Sequence, residues 1–170
     1  MARVITFSTH FPIQHPRKAE PTWFVEQILN SLIPYTGTSR FNDIPEAIRP
    51  HVNDFALIDG AKKCHTIRRG NRWKVGDIFS PRIWSEKPYQ SKQVEISQNV
   101  EIKKIWDIKI DGYFIWINKR LVNKNKYGLG VIILAENDGL STDDFWDWFP
   151  QKAGQIFEGQ IICWDESIEY

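Results

Sequence analysis

Cysteine is scarce in this chain: two residues in 170, Cys64 and Cys163, far apart and without metal-ligand spacing around either. A disulfide framework or a zinc ribbon needs more thiols at short, regular intervals, so neither organises this fold. Both cysteines lie in apolar, strand-like contexts, where buried free thiols are the default and a single bridge between them is the alternative. Long hydrophobic runs are also missing. No stretch approaches the roughly 18 apolar residues that a membrane span needs, and the opening MARVITFSTH has too short an apolar run for a secretory signal. The expectation is a cytoplasmic protein with no membrane partner. Net charge is nearly absent at +1, so bulk charge points to no partner. The four histidines, His10, His15, His51 and His65, form no metal pattern, and neither a metal nor a cofactor is expected. Internal repeats and low-complexity tracts are lacking too.

What is present is aromatic and unevenly charged. A single domain of 170 residues buries roughly 70% of the surface its unfolded chain exposes, enough for one core without staples. Eight Trp and ten Phe favour a β-rich fold with large core residues, though exposed Trp also marks binding faces. From Gly60 to Lys92 nine cations face two acids, Asp77 and Glu86. From Glu136 to the end nine acids face one cation, Lys152. Either these segments neutralise each other across the fold, or the protein has a basic site and an acidic back.

The pattern predicts an α+β order. Arg3 to Ser8 reads as an opening strand, and the proline-rich stretch after it as an ordered loop. Trp23, Phe24, Ile28, Leu29 and Leu32 recur at helical spacing behind Pro21, predicting a helix from Pro21 to Leu32 that ends before Pro34. Residues 35–54 are irregular, with a short helical turn at Pro45 to Ile48. Phe55 to Ile58 is apolar, and Asp59-Gly60 turns the chain. His65 to Arg68 ends a strand, and Gly70-Asn71 and Lys74 to Asp77 are turns. Ile78 to Trp84 is a strand that Pro81 assigns to an edge or a bulge. Gln93 to Ile96 and Val100 to Ile110 are strand-like, the latter with a bulge near Lys104. Asp111-Gly112 signals a hairpin to a partner strand, Tyr113 to Val122. Val131 to Glu136 reads equally as strand or helix. Ser141 caps a helix over Thr142 to Phe149, stopped by Pro150, and Gln155 to Trp164 closes the chain as a strand. Many short strands with helices at their ends suggest a small, bent antiparallel sheet closing as a barrel.

The frame serves the segment Gly60 to Lys92. Its first half holds Lys62, Lys63, His65, Arg68, Arg69, Arg72 and Lys74; its second half sets Trp84, Lys87, Tyr89 and Lys92 around a Ser-containing turn. Cations neutralise phosphate and flat rings stack on bases, so this is the composition of a nucleotide or RNA site. Arg68 and Arg72 suit phosphate because a guanidinium fork grips two oxygens; a solvated basic loop is the plainer alternative. Trp84 and Tyr89 are stacking candidates or rim packing, and Trp73 belongs to the core.

Lys63-Cys64-His65-Thr66-Ile67-Arg68, followed by Arg72-Trp73-Lys74-Val75-Gly76-Asp77, resembles the signature of the ASCH domain, a family of the PUA-like superfamily of small β-barrels associated with RNA. Trp84 to Gln93, WSEKPYQSKQ, is similar to an ASCH subgroup with a W-S-G-K-P-Y-like turn, with Glu86 where Gly is expected. The opening strand and HPRKAEPTWF are similar as well. About half the chain carries the resemblance, and residues 35–55 and 100–130 stand as unmatched insertions in one domain over 1–170. The resemblance implies a PUA-like mixed or antiparallel barrel with flanking helices and a ligand cleft lined by the Lys-x-x-Thr segment. It also implies two functions. One is RNA or nucleotide binding. The other is an amidohydrolase that removes the acetyl group of N4-acetylcytidine with a Lys, a Thr three residues on and a distant Glu. Lys63 and Thr66 match the first two, and Glu136 is the candidate for the third.

Residues three apart on an extended segment point to opposite faces, so joint action of Lys63 and Thr66 requires a turn or bulge between them. In a dry cleft the surrounding cations would free the Lys63 amine to act as base, with Thr66 as nucleophile. The plainer alternative has Lys63 on a phosphate and Thr66 capping a turn. The leading reading is a binder of RNA, nucleotide or nucleoside through Lys63, His65, Arg68, Arg72, Trp84, Lys87, Tyr89 and Lys92, with the amidohydrolase second. A protein-interaction module is third, resting on Trp146, Trp148 and Phe149 if their rings are exposed. Oligomeric state stays open.

Overall fold

The computed structural model describes residues 2–33, 43–149 and 154–170. In chain order its elements are β1 (Arg3–Thr6), α1 (Phe24–Leu32), a 3-10 turn (Arg49–His51), α2 (Asp54–Asp59), β2 (His65–Arg69), β3 (Ile78–Trp84), β4 (Gln93–Glu95), β5 (Val100–Glu101), β6 (Lys104–Asp111), β7 (Phe114–Ile117), β8 (Arg120–Asn123), α3 (Leu129–Asn137), α4 (Thr142–Trp148) and β9 (Phe157–Cys163). The class is mixed α+β, as expected. The strands form two sheets, and these fall in two compact units, Met1–Lys63 with Asp77–Glu101 and Cys64–Gly76 with Ile102–Tyr170. The chain passes between the units at Lys63–Cys64, Gly76–Asp77 and Glu101–Ile102, so neither unit is a continuous stretch of sequence.

In the first unit, β3 is flanked by β1 in parallel on one side and by β4 and β5 in antiparallel on the other. Pro81 therefore sits in the central strand, not at the expected edge. The ladder explains why it is tolerated. β5 pairs with Ile78 and Phe79, β4 pairs with Arg82 to Trp84, and Pro81 falls at the break between them. The Pro81 carbonyl accepts the Ile96 N–H at 2.9 Å, so its ring nitrogen faces the same interrupted edge, where no partner strand asks for an N–H.

Helix α1 begins three residues later than the pattern predicts. Pro21 pairs with His10 in an isolated bridge, and Trp23 takes a left-handed conformation (φ 59°) before the first helical residue. Trp23 is thus drawn out of the apolar stripe that Phe24, Val25, Ile28 and Leu29 bury. The apolar run at Phe55 to Ile58 forms α2, started by the Asn53 side chain, which accepts from the Ala56 N–H, and ended by Gly60 in the left-handed conformation that glycine adopts without strain. The turn expected at Pro45 to Ile48 continues into the 3-10 turn, and the adjoining expectations for residues 34–42 lie outside the described residues.

In the second unit the sheet order is β2-β9-β6-β7-β8. Trp106, Ile108 and Ile110 of β6, with Ile115 and Ile117 of β7, bury one face at the strand period of two. The irregularity expected near Lys104 marks a change of sheet, because β5 belongs to the first unit and β6 to the second. The Asp111-Gly112 hairpin forms as expected, with Asp111 opposite Phe114. Its partner is split by a second hairpin at Asn118-Lys119, both in the left-handed region (φ 48° and 67°). Asn118 Oδ1 accepts the Asp107 N–H at 3.0 Å, and the Asn118 N–H donates to the Asp107 carbonyl at 2.9 Å, which fixes this turn.

The ambiguous Val131 to Glu136 stretch is helical. Gly130 permits it: a Cβ there would stand 2.2 Å from the Val122 carbonyl, so α3 packs directly on β8. Ser141 caps α4 as predicted, accepting from the Asp144 N–H at 3.1 Å. The rings of α4 turn inward. Trp146 donates to the Lys126 carbonyl and meets Tyr113 edge-on, while Phe145 and Phe149 pack with Phe157 through Phe149. Trp146 and Phe149 are buried and Trp148 is half-buried, so of the three rings on which an interaction surface at this helix would rest only Trp148 is part-exposed. Among the described residues, no helix is long and apolar enough to cross a membrane.

Candidate functional site

The first unit carries an open cavity of about 370 Å3, within the roughly 300–1,000 Å3 typical of small-molecule sites. Four stretches build it. The proline-rich loop brings Thr9, His10 and Pro21. The start of α1 brings Trp23, Phe24 and Glu26. The 3-10 turn and the residues after it bring His51 and Asn53, and the end of β3 brings Trp84, Ser85 and Glu86. Every lining residue belongs to the first unit.

Glu26 is the chemical centre of this wall. It is 3% exposed, and its Oε1 accepts the Asn53 backbone N–H at 2.7 Å. Burial pushes its carboxyl above the ordinary carboxylate range, and backbone N–H groups, that of Asn53 first, pull it partly back. Its position follows from the helix: it falls between the buried Val25 and Ile28 on the first turn of α1. A buried acid in a cleft with a perturbed proton affinity is a mark of a functional site.

Lys63 ends the first unit. It is 2% exposed, its N–H donates to the Gln27 carbonyl at 3.1 Å, and its Nζ lies 4.2 Å from the centre of the Phe24 ring. That ring is also part of the cavity wall. An ammonium on an aromatic face is held by the ring's quadrupole, more strongly where water is excluded.

Trp84 is half-buried on the cavity, and Tyr89 leans against it with ring centroids 5.3 Å apart. Tyr89 is 88% exposed and left-handed (φ 62°), on a loop tied by the Lys87 carbonyl, which accepts the N–H groups of Gln90 and Ser91. Lys87 and Lys92 are exposed on the same loop. Glu86, where the resembling subgroup has Gly, adds a second carboxylate to the cavity lining.

The sequence-predicted residues divide between the units. Lys63, Trp84, Lys87, Tyr89 and Lys92 lie in the first unit; His65, Thr66, Arg68, Arg72 and Glu136 lie in the second. Thr66 is buried in β2, Arg68 is half-buried on the same strand, and Arg72 is exposed on the turn beyond it. Glu136 is exposed on the last turn of α3. His65 is fully buried, with Nδ1 3.7 Å from an Asp138 oxygen and its ring edge-on to Tyr170 at 5.7 Å. Burial pushes the Tyr170 hydroxyl well up, and Asn137 donates to it at 3.0 Å. Cys64 and Cys163 are free and buried; the Cys163 Sγ lies 3.3 Å from the carbonyls of Cys64 and Asp165, and burial raises its thiol to about 11.

The second unit also carries a groove of about 640 Å3, with Asn71, Asp107, Lys109, Trp116, Lys119 and Glu158 among its lining. It is the larger of the two, but its charges lie on exposed or half-exposed side chains and it holds none of the predicted site residues. The smaller cavity, with its buried acid, is the better site.

Sequence reasoning missed Glu26, Trp23, His10 and His51. The signal for Glu26 was a lone acid inside an apolar helical stripe, and for Trp23 a tryptophan between Pro21 and the helix proper. Among the described residues, no group of three or more His, Cys, Asp or Glu could hold a metal ion. In comparisons with known proteins, no family model matches the sequence, no curated protein matches it and no solved structure matches the fold.

Proposed function

We propose that the protein is an ASCH-type, PUA-like nucleotide-binding protein, and that the first-unit cavity takes the base of a nucleotide or of an RNA strand. One observation carries this reading: Trp23, Phe24 and Trp84 line the same cavity as Glu26, which is buried. Flat rings give stacking surface to any base, and a fixed polar group orients it. Among the described residues no lysine or arginine lines the cavity, whereas Lys87 and Lys92 are exposed on the loop that continues from Trp84. The base enters and the phosphate stays outside, against these lysines. The signature from Lys63 to Asp77 supports the family and barrel parts of the proposal.

Titration with a short single-stranded oligoribonucleotide tests it. Affinity should fall with added salt, and Trp84→Ala should weaken it at every salt concentration. Binding that is absent, or unchanged in Trp84→Ala, contradicts the reading.

A second reading, removal of an acyl group from a modified nucleoside such as N4-acetylcytidine, is favoured by a different observation. Glu26 and Lys63 are both held out of water in one unit, and such groups are suited to move protons. Here Glu26 takes the place that the resemblance gives to Glu136. The expected result is release of cytidine and acetate, lost in Lys63→Ala and in Glu26→Gln while both variants stay folded. Absent turnover, or equal turnover in all three proteins, ends this reading.

A further inference from the structure

The carboxylates of the first-unit cavity set one requirement on a ligand's hydrogen bonding, beside the polar groups of Thr9, His10, His51, Asn53 and Ser85 that also line it. Among the described residues its acidic side chains are Glu26 and Glu86, and no lysine or arginine joins them. Glu26 is the buried one. Its Oε1 takes the Asn53 N–H at 2.7 Å and its own backbone N–H is a further partner of the carboxyl, so the group is held in place and keeps acceptor capacity for a ligand. A ligand that enters this cavity must bring donors to Glu26, and a ligand that brings acceptors leaves the carboxylate unmatched at a high desolvation cost.

The common bases differ on this point. Cytosine and adenine each pair one exocyclic amine with an adjacent ring-nitrogen acceptor. Uracil presents one N–H between two carbonyls. Guanine alone presents two adjacent donors, the ring N1–H and the exocyclic N2 amine, spaced as the two oxygens of a carboxylate are. The part-exposed rings of Trp23 and Trp84 offer a purine more stacking area than a pyrimidine.

We infer that the cavity is selective for a guanine-type base, whose N1–H and N2 amine donate to the two oxygens of Glu26. This rests on the nucleotide-binding reading and names its ligand. Glu26 is then the residue that determines specificity, while Trp84 supplies affinity without preference.

The test is a set of titrations of the full chain with GMP, IMP, AMP, CMP and UMP. IMP keeps N1–H and lacks the N2 amine, so it isolates one of the two donors. The expected order is GMP tightest, IMP weaker by several-fold, and the other three weaker than GMP by roughly 10- to 100-fold, the size of a lost charge-assisted hydrogen-bond pair. Glu26→Gln keeps an oxygen for the Asn53 N–H but presents a donor in place of one acceptor. It should bring the five ligands within about threefold of one another. If nucleotides bind without a preference for GMP, or if the preference survives Glu26→Gln, this inference is wrong and the binding reading stands. If none of the five binds, both are wrong. Should Glu26→Gln not fold, the GMP-to-IMP ratio in the unaltered protein decides, and a ratio of one overturns the inference.

Discussion

Glu26 accepts the backbone N–H of Asn53 at 2.7 Å, and so ties the first turn of α1 to the residue that caps α2. The bond joins two segments 27 positions apart and fixes a carboxyl that burial disfavours as an anion. The residue that orients the cavity is therefore also a source of pH-dependent stability.

The sign of that dependence follows from the direction of the shift. The folded protein holds the Glu26 proton more tightly than the unfolded chain does, so the stabilising contribution is complete below about pH 4.5, the ordinary value, and is lost as pH rises through the raised folded value. His10, His51 and Glu86 are the other titratable residues that line the cavity among the described residues. Glu26→Gln should flatten this part of the profile and gain stability relative to the unaltered protein toward neutral pH. Urea unfolding at several pH values measures it; parallel profiles for the two proteins would contradict the assignment.

Stacking on Trp84 should contribute about 1–3 kcal/mol per base to nucleotide binding. Trp84→Ala should thus cost roughly 5- to 150-fold in affinity, and Tyr89→Ala less, since Tyr89 supports Trp84 and does not line the cavity. Trp116→Ala, in the second-unit groove, should leave mononucleotide affinity unchanged. Equal losses in all three variants would place the ligand elsewhere.

Lys87 and Lys92 are predicted to act on RNA through phosphate alone. Lys87→Ala and Lys92→Ala should weaken binding of all sequences equally and each lower the slope of log affinity against log salt by roughly 0.7, the single-strand value per phosphate contact. An unchanged slope would remove the loop from the interface.

Stability makes a further prediction in the second unit. Lys119 is left-handed without a side-chain reason, whereas Asn118 beside it holds the Asp107 N–H. Lys119→Gly should stabilise the protein by about 0.5–1 kcal/mol and Asn118→Ala should destabilise it by about 1–2 kcal/mol. Denaturant midpoints compare them.

Gln160 offers a larger effect. It is buried in β9, and its side-chain amide accepts the Trp73 N–H at 3.0 Å and donates to the Trp73 carbonyl at 3.2 Å. Gln160→Ala strands both backbone groups and should cost about 2–4 kcal/mol. A loss under 1 kcal/mol would mean that these groups find other partners.

Much of the fold is legible in the sequence where local chemistry decides. Ser141 caps α4, Asp111-Gly112 turns a hairpin and Gly60 ends α2, because each depends on a few adjacent residues. The readings that miss are decided at a distance. Pro81 is central because β4 and β5 leave a gap opposite it, which no property of residues 78–84 reveals. The hairpin at Asn118-Lys119 depends on Asp107, eleven positions earlier. The site divides the same way. Lys63 and Trp84 stand out because cations and rings cluster in sequence around them. Glu26 is one acid in an amphipathic helix, and only burial against the Asn53 segment sets it apart.

The most direct test of the central claim is a heteronuclear NMR titration of the full chain with GMP, read at the assigned backbone amides and tryptophan indoles. The account predicts shifts concentrated at Glu26, Asn53 and the Trp23 and Trp84 indoles, with the Trp116 indole unmoved. Shifts confined to Trp116 and its neighbours, or no shifts at saturating ligand, would contradict it.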